Sequence, residues 1–310
     1  MIPFEITILG TGSALPTSQR YHTAHVLNVR ERFFLIDCGE GTQNQMRKYG
    51  VKFSRIEHIF ISHLHGDHYF GLIGLITSYL LLGRKTDLHI YSHSMLPDLL
   101  KPQIDMMGDE LSYKIIWHPL NFKRSETILE NKVVKVMSVP VQHRFPCCAF
   151  LFTEAPNELN VRKEQIEKYQ VPLTEIYNIK KGADFIDKNK QLIPNSELTL
   201  PALKQRSYAF CTDTAFMPEL SEVFKDVDLL YHEATFDKTN QKRAAETFHS
   251  TAQQAAQMAK MSNAGQLLIG HFSSRYKNIE KLLNEAREEF ENCIAANEGM
   301  VIQIPQKRLG

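Results

Sequence analysis

Short apolar runs alternate with polar stretches along most of the chain, and the spacing of apolar positions in each run predicts a strand or a helix. The predicted strands are residues 5–10, 24–29, 33–37, 58–62, 88–92, 133–139, 149–153, 207–213, 228–234 and 266–270. The predicted helices are residues 41–50, 251–261 and 277–290, and a further helix that has Asp67 as its cap and runs through Leu80. Gly50 suits the C-terminal cap of the first helix, because glycine readily adopts the left-handed conformation needed there.

Polar and ionisable residues stand at the ends of several predicted strands. Asp213, Glu233 and His271 each end or follow a strand, and His143 comes soon after another. Strands throughout the chain with helices between them predict an α/β fold, in which two sheets pack face to face with helices outside. The gathered polar residues predict that one edge of these sheets forms an active site.

Residues 154–206 differ in character from the rest of the chain. They are rich in Lys, Glu, Asn and Pro, and they show little regular periodicity. Positive and negative side chains are almost balanced in this segment. We therefore expect a single domain over residues 1–310, from which 154–206 projects as an inserted, flexible arm.

Potential metal ligands are most concentrated in ISHLHGDHYFGL, residues 61–72, next to an apolar run. It holds His63, His65, Asp67 and His68, and such side chains are costly beside a core unless they are paired or bind a metal. In a turn after a strand, these four side chains cannot all reach one tetrahedral ion. They can serve two neighbouring ions, with the first two residues at one and the last two at the other. Zinc accepts imidazole and carboxylate ligands, and a catalytic zinc site keeps one position open for water.

Each ion then needs further ligands from distant segments. His143, Asp213 and His271 lie at or just beyond strand ends, and Asp213 is the natural bridge because a carboxylate can touch both ions. Mn²⁺ or Co²⁺ would accept the same ligands as Zn²⁺. Several histidines that stand alone are interpreted as ordinary surface or core residues. They are His22, His25, His58, His93 and His118.

Composition sets limits but does not identify a function. Of 310 residues, 43% are hydrophobic and 23% are charged, as in soluble globular proteins. The net charge of +1 does not by itself indicate a nucleic-acid partner, so a polyanion would have to meet a local patch. Five cysteines without CxxC spacing predict free thiols and a cytoplasmic protein. We see no signal peptide and no apolar stretch long enough to span a bilayer, so no membrane partner is expected.

Several motifs share one resemblance. HLHGDH resembles the signature of the metallo-β-lactamase superfamily, which implies a four-layer αβ/βα sandwich with a binuclear metal site. Within that superfamily the chain resembles the ribonuclease Z family over nearly its whole length, and the combination of motifs is more specific than any single one. The motifs are ILGTGSALPTSQR (8–20), DCGEGTQ (37–43), HLHGDHYFGLIGL (63–75), CTDTAF (211–216), HEATF (232–236), HSTAQQAAQMA (249–259) and IGHFSSRY (269–276).

The resemblance implies an endoribonuclease with two zinc ions per subunit. Such an enzyme cleaves the 3′ trailer from precursor tRNA, leaving a 3′-hydroxyl on the tRNA and a 5′-phosphate on the trailer. The resemblance also implies a homodimer, in which the arm of one subunit reaches tRNA held at the site of the other. The arm departs from the family pattern, because YQVPLTEIYNIKKG (169–182) keeps the KKG ending but lacks most of the Gly and Pro that usually precede it.

Three residues are assigned to the chemistry. Asp67 ligates one ion and can accept a hydrogen bond from the attacking water, so we expect it to orient or deprotonate that water, as the resemblance also implies. His249 is not needed as a ligand and can donate a proton to the leaving alkoxide, with Glu233 polarising it. The simpler interpretation of His249 is an N-cap or packing residue before helix 251–261. His232 is assigned a structural role, because neighbours along a strand point to opposite faces.

Contacts with RNA phosphates would have to come from side chains away from the ions. Lys180 and Lys181 on the arm are candidates, and so are Arg275 and Ser273, which follow His271 closely. Two alternatives stay open: a small-molecule hydrolase of the same fold, such as a phosphodiesterase, and a non-enzymatic scaffold with a decayed site. The arm favours a large substrate, and the complete ligand set argues against a decayed site.

Overall fold

The computed structural model describes residues 2–106 and 112–308, and the chain divides into two compact units. The first unit consists of Met1–Thr153 and Ser207–Ile304, and the second of Glu154–Arg206 and Pro305–Gly310. The strands are β1 Phe4–Gly10, β2 Ala24–Val29, β3 Arg32–Ile36, β4 Ile56–Phe60, β5 Leu88–Ser92, β6 Ile115–Pro119, β7 Glu126–Glu130, β8 Val134–Val141, β9 Cys147–Glu154, β10 Phe185–Ile186, β11 Leu192–Ile193, β12 Ser207–Cys211, β13 Leu229–Glu233, β14 Leu267–Gly270, β15 Cys293–Ala295 and β16 Val301–Gln303. The helices are α1 Thr42–Lys48, α2 Gly66–Tyr69, α3 Gly71–Leu81, α4 Leu96–Asp105, α5 Lys163–Lys168, α6 Leu173–Lys180, α7 Asn195–Leu198, α8 Leu220–Val223, α9 Gln241–Thr247, α10 Ala252–Met261 and α11 Glu280–Glu289.

Two seven-stranded sheets make up the first unit. The strand order is β16-β1-β2-β3-β4-β5-β6 in one sheet and β15-β14-β13-β12-β9-β8-β7 in the other. Strands β3 to β6 run parallel, and so do strands β12 to β15. The carboxyl ends of parallel strands meet at one edge of a sheet, so the loops that follow these strands gather there.

Apolar side chains build three cores that separate four layers. The central core lies between the sheets, where Phe60 of β4 packs against Phe150 and Phe152 of β9 with ring centroids 5.5 and 5.3 Å apart. A second core joins the first sheet to α1, α3 and α4, and a third joins the other sheet to α8, α10 and α11. Burial of each such phenylalanine contributes roughly 1.5–3 kcal/mol. The order helix, sheet, sheet, helix confirms the predicted α/β sandwich.

The helix expected after the histidine cluster is wrong in its extent. Asp67 is not a cap: it lies inside the short helix α2, whose N-cap is His65, and a separate helix, α3, begins at Gly71. A continuous helix would bond the N–H of Gly71 to Asp67, but this N–H donates to the carbonyl of Cys38 instead. The N–H of Cys38 in turn donates to the carbonyl of His68. The loop after β3 therefore holds α2 as a separate turn.

Most other predicted elements are present within a few residues of their expected bounds. Gly50 has a φ of 66° just beyond the end of α1, as expected for its cap. The sequence pattern did not predict α4, α8, α9, β6, β7, β15 or β16. Strands β15 and β16 have three residues each, too few for alternation to be recognised. No helix in the described ranges is long and apolar enough to cross a membrane.

The second unit contains regular elements that its sequence pattern does not predict. They are three short helices, α5, α6 and α7, and a hairpin of β10 and β11. Its core consists of Val171, Ile179, Phe185, Ile193 and Leu198. The longest helix has eight residues, which is too short for a helical period to be recognised. The ends of the inserted segment meet in a buried ion pair, in which Nε and Nη2 of Arg206 donate to the carboxylate of Glu154 at 2.9 and 2.8 Å.

Candidate metal centre

Two groups of potential ligands lie at the edge where the parallel strands end. The first group consists of His63, His65, His143 and Asp213. Their ligand atoms all lie within 4.8 Å of one another. Nδ1 of His65 is 2.8 Å from Nε2 of His63 and 3.2 Å from Nε2 of His143. Three imidazole nitrogens and one carboxylate thus converge from segments that are far apart in the sequence.

The second group consists of Asp67, His68 and His271. Asp213, which belongs to the first group, also faces the second. Its Oδ2 lies 3.5 Å from Nε2 of His63 and 3.8 Å from Nε2 of His143. Its Oδ1 lies 3.3 Å from Nε2 of His68 and 3.1 Å from Nε2 of His271. One oxygen faces each group, which is the arrangement of a bridging carboxylate.

The backbone at two of these residues is strained. Asp213 follows β12 and His271 follows β14, and their φ angles are positive, at 44° and 57°. Residues other than glycine adopt this left-handed region rarely, and such strain is concentrated at functional sites. Both side chains are buried. The left-handed turns therefore hold two potential ligands at the strand ends at a cost in conformational energy.

Hydrogen bonds on one side of each imidazole leave the other side for a cation. Nδ1 of His68 donates to Asp37 at 2.6 Å, and Nδ1 of His271 donates to the hydroxyl of Thr235 at 2.9 Å. Within the described residues, Nε2 of each ring is buried and has no hydrogen-bond partner. Buried polar atoms seldom stay unpaired. A divalent metal ion fits this donor set, because it would satisfy both nitrogens and the carboxylates that face them.

The imidazoles also influence the charge of the bridging carboxylate. Burial would raise the pKa of Asp213, but the neighbouring His271, His68 and His63 lower it well below its usual value. Burial lowers the pKa of His63 well below its ordinary value. The first group therefore offers an ionised carboxylate and a neutral imidazole, the protonation states that a metal ion requires.

Two supporting residues lie in the sequence motifs, which by themselves predict no role for them. Asp37 follows β3, is fully buried, and accepts hydrogen bonds from the N–H and hydroxyl of Ser62 at 2.8 and 2.9 Å as well as from His68. The hydroxyl of Thr235 accepts from His271 and donates to Glu233. Such partners fix the orientation of a ligating ring and raise its basicity. The available signal for Asp37 was a lone carboxylate directly after an apolar strand.

His249 forms an ion pair with Glu233. Its Nδ1 is 2.8 Å from Oε1 of Glu233, which is buried and also accepts the N–H of Thr214. Burial would lower the pKa of His249, but the Glu233 carboxylate raises it to about 9. His249 lies in the turn between α9 and α10, and the N-cap of α10 is Thr251 with a capping box. The simpler interpretation of His249 as that N-cap is therefore wrong.

Comparison with known proteins places the chain in a family. Ribonuclease Z of Bacteroides thetaiotaomicron is 48% identical over 304 residues, which are 98% of this chain and 96% of the relative. Ribonuclease Z of Porphyromonas gingivalis is 43% identical over 98% of this chain and 100% of the relative. The chain belongs to the ribonuclease Z family.

Solved structures agree with this membership. The short form of human tRNase Z is 28% identical with a TM-score of 0.72, and the match covers 97% of this chain and 99% of that one. The metallo-β-lactamase fold protein YhfI of Bacillus subtilis has a TM-score of 0.68 at 18% identity, and this likeness shows the fold. A family model described as the anti-Pycsar protein Apyc1 matches residues 4–155. That match ends at the start of the inserted segment, whereas the ribonuclease Z relatives match nearly the whole chain.

In this member of the ribonuclease Z family, the ligand groups open into a cavity of about 580 Å³. Arg275 and Ser273 lie on its wall, together with His249. The guanidinium of Arg275 stacks over the ring of Phe236, 4.8 Å from its centre, and donates to Asn240 and Ser273, each at 3.2 Å. These contacts hold a cation and a hydroxyl beside the ligand groups, where a phosphate could meet them.

The other two expected phosphate contacts belong to the second unit. Lys180 ends α6, and its Nζ is 3.8 Å from Glu158. Nζ of Lys181 lies 4.1 Å from the centre of the Tyr177 ring and donates to its hydroxyl. Both lysines thus have local partners on the inserted segment. Such surface contacts are weak, so neither keeps its lysine from binding a phosphate.

The histidines outside the two groups occupy different surroundings. His232 is buried, and its Nδ1 bonds to the backbone carbonyl of Glu233, in line with a structural role. His25 is also buried, with Nδ1 2.7 Å from the hydroxyl of Tyr208. His22 lines the cavity, and its buried Nε2, like those of His25 and His232, has no partner among the described residues.

Proposed function

We propose that this chain is an endoribonuclease that removes the 3′ trailer from precursor tRNA. The observation that carries the proposal is the pair of ligand groups that share Asp213, with the His249–Glu233 pair beside them in one cavity. Relatives named ribonuclease Z match almost the whole chain, and a solved tRNase Z shares its fold. The products would be tRNA with a 3′-hydroxyl and a trailer with a 5′-phosphate.

The cofactor would be two zinc ions per chain. His63, His65, His143 and Asp213 would hold one, and Asp67, His68, His271 and Asp213 the other. Nitrogen and carboxylate donors suit Zn²⁺, and Mn²⁺ or Co²⁺ could bind the same set. When bound, two such ions would lower the pKa of a water molecule and neutralise charge on the phosphoryl oxygens.

Asp67 would accept a hydrogen bond from the attacking water. Its carboxylate lies on the cavity wall, and Oδ2 is 3.3 Å from His68 and 3.5 Å from His271. The neighbouring imidazoles hold the pKa of Asp67 below its usual value, against the effect of burial, so the group is ionised and can accept. Asp67 would in this way orient the water towards phosphorus or take its proton.

His249 would donate the proton that the leaving group needs. The water oxygen bonds to phosphorus, the bond from phosphorus to the 3′ oxygen breaks, and that oxygen takes a proton from His249. Glu233 accepts from Nδ1, so Nε2 is the atom that can face the substrate. His249 also lies within 4.8 Å of ligand atoms of Asp213 and His271. Asp213 and His271 belong to the two ligand groups, which are complete without His249. This favours proton transfer over metal ligation for His249.

The inserted segment 154–206 would bind the body of the tRNA. A large RNA is held through many phosphate contacts, and Lys180 and Lys181 are the candidates on this segment. Arg275 and Ser273 would instead meet a phosphate close to the cut. The segment packs around a small core of its own, which supports a separate binding role. A homodimer, in which one arm serves the other subunit, is proposed from the family resemblance, and light scattering at several protein concentrations would test it.

The decisive experiment is a cleavage map of a 3′-extended precursor tRNA at nucleotide resolution. We expect one cut, a 3′-hydroxyl on the tRNA, and loss of cleavage when a chelator removes the metal. Cleavage of small phosphodiesters with no cut in precursor tRNA would favour the small-molecule hydrolase. A protein that binds tRNA but cleaves neither substrate at full metal content would favour a scaffold.

A further inference from the structure

Charge is unevenly distributed around the cavity of the metal centre. One wall runs from Arg275, stacked on Phe236, through Asn240 and along α9 to His249. The rings of Phe236 and His249 are 6.2 Å apart, so this wall is continuous. Among the described residues that line the cavity, both arginines, Arg275 and Arg243, belong to it. We call this the arginine wall.

Another part of the cavity lining has a different character. It includes Leu15 and Phe70, whose exposed fractions are 67% and 58%, and the acidic residue Glu40. A phosphodiester chain would find cations on one side of the cut and apolar or negative surface on the other. Because phosphates pair with arginine in preference to such surfaces, the two walls give the RNA a direction.

The sequence motifs suggest no role for Arg243. It lies on α9 and shares a cavity-lining face with Thr247, one helical turn later. Its ion pair with Glu246 is 3.6 Å long, and both side chains are more than half exposed, so this pair holds it only weakly. The side chain can therefore turn towards an anion in the cavity.

The position of Arg243 relative to His249 indicates which part of the RNA it meets. In the proposed reaction His249 protonates the 3′ oxygen, which belongs to the retained tRNA. Arg243 lies on α9 and His249 in the turn that follows this helix, six residues later, and both line the cavity. The strand that passes along α9 is therefore the one on the 5′ side of the cut.

We propose that Arg243 binds a phosphate of the retained strand, one or two linkages 5′ of the cut, and so sets the direction of the RNA across the cavity. This inference rests on the proposed function. It adds a specificity-determining residue to that reaction, outside the metal ligands and the proton donor. The trailer would then leave over the part of the lining formed by Leu15, Phe70 and Glu40.

The test combines Arg243→Gln with precursor tRNAs that carry one neutral methylphosphonate linkage. Removing one charge-assisted hydrogen bond between arginine and phosphate should lower kcat/KM roughly 10- to 100-fold. We expect a neutral linkage 5′ of the cut to weaken the wild type by this factor. We expect Arg243→Gln to show the same reduction on unmodified RNA, with no further reduction from that one linkage. Neutral linkages on the 3′ side should weaken both proteins equally.

Controls separate this contact from a general change in charge or in folding. Lys242→Gln removes a neighbouring exposed cation that does not line the cavity, so it should retain wild-type sensitivity to each linkage. Arg243→Lys should recover part of the kcat/KM that Arg243→Gln loses. Metal content should be unchanged in Arg243→Gln, and Lys242→Gln should keep the wild-type hydrolysis of bis(p-nitrophenyl) phosphate, which lacks flanking phosphates. Equal further reductions in the wild type and Arg243→Gln at every 5′ linkage, or coupling to a 3′ linkage, would overturn the inference. A wild-type protein that leaves precursor tRNA uncut would instead overturn the proposed function.

Discussion

Asp213 connects the two ligand groups, because each of its carboxylate oxygens faces a different one. Removing it should therefore affect both ions, whereas removing Asp67 should affect the second ion only. We expect close to two metal equivalents in the wild type, about one in Asp67→Ala and less than one in Asp213→Ala, measured by elemental analysis after dialysis. Two full equivalents in Asp213→Ala would contradict the bridging role.

His249 should matter for the reaction and not for metal binding. Glu233 occupies its Nδ1, and the two ligand groups are complete without it. We expect His249→Ala to slow precursor tRNA cleavage about 10²–10⁴-fold, the usual contribution of a general acid, while metal content stays near that of the wild type. Glu233→Gln should show a smaller loss in the same direction. Loss of metal from His249→Ala would make the residue a ligand.

His25, which is not a metal ligand, should make the free energy of unfolding depend on pH. Burial lowers the pKa of His25 to about 3, against an ordinary value near 6.5. Below pH 6.5 the unfolded chain takes up a proton at this position and the folded chain does not, so the free energy of unfolding falls as pH decreases. The slope reaches about 1.4 kcal/mol per pH unit. We expect His25→Gln, which can still accept from Tyr208, to flatten the pH dependence by one proton between pH 6 and 4 in urea titrations. Equal slopes for both proteins would contradict burial of a neutral ring.

At the scale of elements, the ion pair of Glu154 and Arg206 fixes the two ends of the inserted segment. Both side chains are buried, and the contact is bidentate. Truncating one partner of a buried pair typically costs about 3–5 kcal/mol, because the other charge stays buried. We expect Arg206→Met to lower the free energy of unfolding by this order, and the double variant with Glu154→Gln to lose less. Lys168→Met, which removes a pair with Glu197 at the surface, is the control and should change stability little.

The elements also show what a single sequence can and cannot reveal. HLHGDH was conspicuous because four potential ligands fall within one turn, and Asp213 and His271 were found because they end apolar strands. Asp37 was missed as a supporting residue because its partner, His68, is distant in the sequence and only the parallel pairing of β3 and β4 brings them together. The expected helix from Asp67 to Leu80 failed for a similar reason, since the bonds that interrupt it come from the loop after β3. Local patterns record local bonds, whereas these features depend on tertiary contacts.

At the scale of the whole molecule, the candidate site lies within the first of the two units. Every member of the two ligand groups, and the His249–Glu233 pair, belongs to the first unit. The alternation of strands and helices was enough to predict the packed sheets of that unit. Two seven-stranded sheets require many apolar strand segments, and these are visible in the sequence. The second unit has short helices and a two-residue hairpin, so its composition suggested only an irregular segment. We therefore expect the two units to differ in what they contribute to the reaction.

Replacing residues 154–206 by a short turn should separate tRNA recognition from chemistry. Thr153 and Ser207 pair directly across β9 and β12, which run antiparallel, so a tight turn can join them without disturbing the sheet. The shortened protein should keep its metal content and its hydrolysis of bis(p-nitrophenyl) phosphate, because the ligands and His249 remain. Its cleavage of precursor tRNA should be lost, because the segment would supply the contacts distant from the cut. In the full-length chain that cleavage should also weaken as salt rises, since each phosphate contact releases counterions. A milder variant, Lys180→Gln with Lys181→Gln, should raise KM for precursor tRNA and reduce its salt dependence without changing kcat. Cleavage of precursor tRNA by the shortened protein at the wild-type rate would contradict a role for this segment in recognition, and would leave the arginine wall as the main site of RNA contact.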